Sequence, residues 1–114
     1  MKRGLVLTDA DFEEQVFLSG TPVLVEFWGS WCTACKMAEP VIEELAGELD
    51  GVVRVGKLNV DQNPRIRSLC DITGVPTFVI FKDGVAVRRQ VGARSKKQLL
   101  ALVEETLSST GGSQ

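Results

Sequence analysis

Near its first third the chain carries a seam between two patterns. Pro22 to Trp28 (PVLVEFW) is almost continuously apolar, and four residues later the chain reads Cys32-Thr33-Ala34-Cys35. An unbroken apolar run, as opposed to an alternating one, marks a strand covered on both faces, which calls for a parallel or mixed sheet with helices on each side. From Cys35 onward Ala38, Val41, Ile42, Leu45 and Leu49 recur at helical spacing as far as Gly51, with Pro40 inside expected to kink the helix. Two cysteines therefore sit where a buried strand hands over to the first turn of a helix.

The remaining elements fit around that unit. Gly4 to Leu7 reads as a short strand, and Thr8-Asp9-Ala10-Asp11 as the start of a helix that buries Phe12 and Val16 before Gly20 ends it. Val52 to Val60 reads as a second buried strand, followed by Asn63 as N-cap and Pro64 at the first position of a short helix. Thr77 to Lys82 and Val85 to Val91 are strands joined by Asp83-Gly84, a two-residue hairpin signal. Ser95 and Gln98 form a capping box for a last helix that buries Leu99, Leu102, Val103 and Leu107. The order β-α-β-α-β-α-β-β-α predicts an α/β fold with a central mixed sheet and helices on its faces. No repeat or linker divides the chain, so residues 1–109 are expected to form one domain and the Gly/Ser-rich 110–114 a flexible tail.

Composition sets limits on function. A chain of 114 residues with 44% hydrophobic and 25% charged residues is ordinary globular material. Its net charge of -2 leaves no basic stripe for nucleic acid. The apolar run after Lys2-Arg3 is too short for a signal peptide, and no stretch approaches a membrane span, so a soluble monomer in a reducing cytoplasm is expected, with no membrane partner. Three cysteines argue against a multi-disulfide scaffold, and the absence of histidine removes imidazole catalysis and every His-containing zinc site.

C-x-x-C at a helix start next to a βαβ pattern is the redox reading of that spacing, because cysteines three apart there can close a disulfide with little rearrangement. A thiol of pKa about 8.5 is only about 3% thiolate at pH 7, so the attacking sulfur needs help, and a helix N-terminus supplies up to about 2 kcal/mol of it. Cys32 at the tip is the attacking thiol on this argument, and Cys35, one turn in, resolves the mixed disulfide. Ala34 offers one potential N–H donor near the Cys32 sulfur. The competing reading is half a zinc site, for which only Cys70 remains as a further thiol ligand. Cys70 itself reads as a small apolar filler, with a regulatory thiol as the alternative. Glu26 is the only charge in the buried strand, and a buried carboxyl has a raised pKa suited to proton transfer; a strand-edge glutamate reaching solvent is the alternative.

At this point VEFWGSWCTAC, the proline-interrupted helix, NVDQNP, GVPTF, FKDG and the late VGA together resemble the thioredoxin family over essentially the whole chain. The resemblance implies a thioredoxin fold, with a four- or five-stranded mixed sheet flanked by four helices. It implies a protein-disulfide reductase with no bound cofactor, cycling its own Cys32–Cys35 disulfide and re-reduced by a thioredoxin reductase with electrons ultimately from NADPH. Its clients would be disulfide-containing proteins. Cys32 becomes the nucleophile and Cys35 the resolving thiol, with Glu26 at a position where the family usually has Asp, one methylene shorter, and Lys57 as its catalytic neighbour. Val75-Pro76 matches a cis-proline loop facing the dithiol, although local sequence alone favours an ordinary strand-start proline. Trp31, Thr33, Ala34, Val75, Pro76 and Gly92 would contact substrate, Thr33-Ala34 standing where Gly-Pro is common. Two other functions remain open on the sequence: a redox-independent binding subunit using the same surface, and a disulfide oxidant or isomerase, which an export signal would accompany.

Overall fold

The computed structural model describes residues 4–108, so the segment 110–114 expected as a tail lies outside the described residues. Strands β1 (Leu5–Leu7), β2 (Val23–Trp28), β3 (Arg54–Asn59), β4 (Thr77–Lys82) and β5 (Val85–Val91) alternate with helices α1 (Thr33–Glu48), α2 (Pro64–Leu69) and α3 (Lys96–Ser108). Between β1 and β2 lies a π-helical turn, Glu13–Phe17. The sheet has five strands in the order β1-β3-β2-β4-β5. β1, β3 and β2 run parallel, and β4 and β5 close the other edge antiparallel. The mixed α/β architecture is thus the one expected, with a π-helical turn as the first of its four helical segments.

Central β2 explains why its sequence is apolar throughout. Val23, Val25 and Phe27 join Phe12, Val16, Leu58, Ile66 and Phe81 in a core on one face, beneath the π-turn and α2. Leu24 joins Ile42, Leu45, Phe78, Ile80, Leu99 and Val103 on the other, beneath α1 and α3. Burying each such side chain contributes roughly 1.5–3 kcal/mol, so a strand with both faces covered cannot afford polar alternation. Glu26, 1% exposed on the α1 face, is the exception. Phe12 stacks edge-on against both Phe17 and Phe81 at 5.2 and 5.7 Å, which fixes the π-turn to the sheet.

Four local expectations change. The first helix closes through the Leu18 amide to the Glu13 carbonyl, an i to i+5 bond, so that only a π-turn forms between Asp11 and Ser19. β3 is shorter than 52–60 because Val52 is half exposed in the turn before it. Leu107 is 38% exposed; α3 turns Leu99, Val103 and Thr106 inward, and the buried Thr106 hydroxyl is satisfied by donating to the Leu102 carbonyl at 3.0 Å. Asn63 does not cap α2 with its side chain. Its Oδ1 accepts the Asp9 amide at 2.8 Å, and Asp9 reaches back through space to accept the Arg65 and Ile66 amides at 3.1 and 2.8 Å. The capping box at Ser95 and Gln98 forms reciprocally as read. So does the two-residue hairpin, with Asp83 at φ 53° and Gly84 at φ 80°.

Candidate active site

The sheet ends where the chemistry begins. Phe27 pairs with Thr77 and Thr77 with Val91, so the loops after β2, before β4 and after β5 leave from one end of the sheet. That end gathers Trp31 to Cys35, Val75-Pro76 and Gly92. Val75-Pro76 is cis, and the Pro76 carbonyl accepts the Gly92 amide at 2.7 Å. Gly92 holds φ at +95°, where a side chain is strained. Pro76 is buried and Val75 half-buried, whereas Trp31 is 65% exposed, so this tryptophan belongs to the surface. Its indole Nε1 donates to Asp61 Oδ2 at 2.8 Å, and its ring covers Gly29 so closely that a Cβ there would lie 2.9 Å from Cε2.

Cys32 and Cys35 are joined in a disulfide with Cα atoms 5.3 Å apart. Cys32 is the N-cap of α1, in extended backbone, and the Cys35 amide donates to its Sγ at 3.1 Å. A sulfur in that place accepts one of the orphan N–H groups of the helix start, and a thiolate there gains most from the positive end of the dipole. The donor is Cys35's amide and not Ala34's. Exposure does not separate the two sulfurs, at 6% for Cys32 and 3% for Cys35; position on the helix does. Thr33 is exposed and Ala34 half-buried on the first turn.

Beneath the disulfide opens a cleft of about 710 Å³ lined by Cys35, Glu26, Lys57, Glu39, Trp28 and Asn59, among others. Glu26 and Lys57 are register partners on β2 and β3. Glu26 Oε2 is buried with no hydrogen-bond partner among the described residues. Burial pushes the Glu26 carboxyl up from 4.5 to about 7, with Lys57 pulling it down and Glu39 adding to the rise. The alternative of a strand-edge glutamate reaching solvent is thereby excluded. Lys57 is itself buried, its Nζ 2.5 Å from Glu39 Oε2, 4.0 Å from Glu43 Oε2 and 5.9 Å from the Trp28 ring centre. Cys70, buried apart from this cleft in the opposite core, has its thiol pushed up by burial.

The roles of three residues are not legible in the sequence as read above. Glu39 lies four residues after Cys35, hence on the same helical face, and that spacing could have revealed it. Asp61 and Asp9 act across 30 and more than 50 residues of chain, and no local pattern announces them. Among the described residues no group of three or more Cys, Asp or Glu side chains could hold a metal ion.

A disulfide at the N-cap of a helix, on a five-stranded α/β sheet and above a buried carboxyl, defines a dithiol–disulfide redox protein. Comparison with known proteins narrows the class. The thioredoxin family model matches residues 3–105. Thioredoxin of Rickettsia bellii is 41% identical over 101 residues, covering 89% of this chain and 96% of the relative. That of Acidithiobacillus ferridurans is 44% identical over 103 residues (90% and 95%), and that of Mycobacterium tuberculosis 47% over 94 (82% and 81%). The chain belongs to the thioredoxin family. It is a thiol–disulfide oxidoreductase with protein-disulfide reductase activity, and its redox centre is its own Cys32–Cys35 pair.

Proposed function

We propose that the chain is a monomeric domain, residues 1–109, that reduces disulfides in extended segments of cytoplasmic client proteins and is returned to the dithiol by a thioredoxin reductase carrying electrons from NADPH. In this way it would carry electrons and maintain cell redox balance. The observation that carries the reading is the Cys35 amide 3.1 Å from Cys32 Sγ at a helix start. This donor stabilises negative charge on Cys32 in the reduced protein, and charge-assisted hydrogen bonds are about twice as strong as neutral ones.

The Cys32 thiolate attacks one sulfur of the client disulfide, a mixed disulfide forms, and the other client sulfur leaves as thiolate. The Cys35 thiol then passes its proton to the Glu26 carboxylate and attacks Cys32 Sγ, which releases the second client thiolate and closes the disulfide seen here. Two electrons have moved to the client; the reductase replaces them. A base with pKa near the working pH is the most effective, and Glu26 at about 7 meets that condition. Lys57 holds positive charge next to it in the cleft. Trp31, Thr33, Ala34, Val75, Pro76 and Gly92 supply the rim on which the client segment docks.

The test is a trap. Cys35→Ser, mixed with a disulfide-bonded client, accumulates a mixed disulfide that peptide mapping assigns to Cys32, whereas Cys32→Ser accumulates none. Adducts at Cys35 in the second variant, at a comparable rate, overturn the assignment. Coupled NADPH oxidation with a thioredoxin reductase tests the electron source.

A further inference from the structure

The cleft holds more charge than a single buried base needs. Glu26 forms its floor on β2, with Lys57 beside it on β3; Glu39, Cys35 and Lys36 face it from α1; β1 and β4 contribute no titratable group to the cleft. Glu43, also on α1, stands 4.0 Å from Lys57 Nζ. Although Lys57 is the register partner of Glu26, its ammonium is ion-paired across the cleft with Glu39 at 2.5 Å, and Glu26 Oε2 has no hydrogen-bond partner among the described residues. The Glu39 side chain is 40% exposed at the cleft mouth, whereas Glu26 is 1% exposed on its floor.

We infer that Glu39 is a positioning residue that sets the protonation of Glu26, by holding the Lys57 ammonium and by placing a second negative charge in the same cleft. The physical argument is a competition for one cation. A carboxylate on Glu26 would have Lys57 as its natural counter-ion, but Glu39 holds that ammonium at 2.5 Å and shares its charge. The buried acid therefore keeps its proton to higher pH than burial beside an unshared lysine would allow, and its titration near neutral pH follows this balance as well as burial. Removing either partner should move Glu26, in opposite directions. Part of the consequence, the pH dependence of catalysis, rests on the proposed role of Glu26 as base.

The experiment follows the Glu26 carboxyl directly, by carbon-13 NMR titration of glutamate-labelled oxidised protein. Glu39→Gln should lower the Glu26 midpoint by about 1 pH unit, the scale of a neighbouring charge. Lys57→Gln should raise it, and Glu39→Asp, which keeps the charge, should stay near the parent. An unmoved or raised midpoint in Glu39→Gln overturns the inference, as does a midpoint in Lys57→Gln that falls. The same variants are then read in the pH profile for resolution of the mixed disulfide, whose midpoint should fall in Glu39→Gln together with its plateau, since the base becomes weaker. If the carboxyl midpoint moves while this profile stays, control by Glu39 stands and the assignment of Glu26 as base fails.

Discussion

Replacing Glu26 by Gln should make the protein's stability less sensitive to pH, and the size of the change follows from burial. The carboxyl titrates near 7 in the fold against 4.5 when unperturbed, chiefly because burial disfavours its charge. The gap between these values converts, at about 1.36 kcal/mol per pH unit, to about 3 kcal/mol. Between them the folded state binds more protons than the unfolded chain, so stability must fall as pH rises. The contribution is fully present below 4.5 and is lost as pH rises through 7. The substituted glutamine has no proton to lose, although its amide places N–H donors where Oε2 had no partner among the described residues, a cost of about 1–3 kcal/mol that does not vary with pH. The useful quantity is therefore the stability difference between variant and parent at pH 8 minus that at pH 4, expected at about 3 kcal/mol in favour of the variant. Guanidinium unfolding of both oxidised proteins at pH 4, 6 and 8 measures it, as a relative midpoint shift of about 1 M for a slope of about 3 kcal/mol/M. Parallel stability profiles across that range would refute the argument, because they would mean that the carboxyl ionises in the fold as it does in water.

Three other outcomes follow from named contacts. In the reduced protein Cys32 should be alkylated at least about tenfold faster than Cys35 near neutral pH, since the helix start and the Cys35 amide favour its thiolate; peptide mapping after iodoacetamide measures the ratio, and equal rates would remove the electrostatic distinction. Ala34→Pro removes an amide that does not reach the Cys32 sulfur and keeps the one that does, so glutathione titration should show a change in potential below about 10 mV; a change of about 30 mV would correspond to 1.4 kcal/mol and would show that turn stiffness governs the couple. Asp9→Ala should destabilise the fold by about 1–2 kcal/mol through loss of the α2 cap, with little change in disulfide reduction, and a thermal or denaturant midpoint that does not move would show the cap to be dispensable.

Much of this protein is legible in its sequence. The apolar run in β2 pointed to a sheet covered on both faces, the cysteine spacing to a redox pair at a helix start ahead of half a zinc site, and Asp83-Gly84 to a hairpin, because each is a statement about neighbours in sequence. Glu26 stood out for the same reason: a charge inside an apolar run is visible as such. What the tertiary structure decided concerns partners brought together from distant segments. Asp9 caps α2 in place of Asn63, Asp61 holds the Trp31 indole, and Lys57 pairs with Glu39 on the helix above. Hydrogen bonds and ion pairs depend on distance in space, and a buried cation with acids on two elements chooses between them only once those elements have packed.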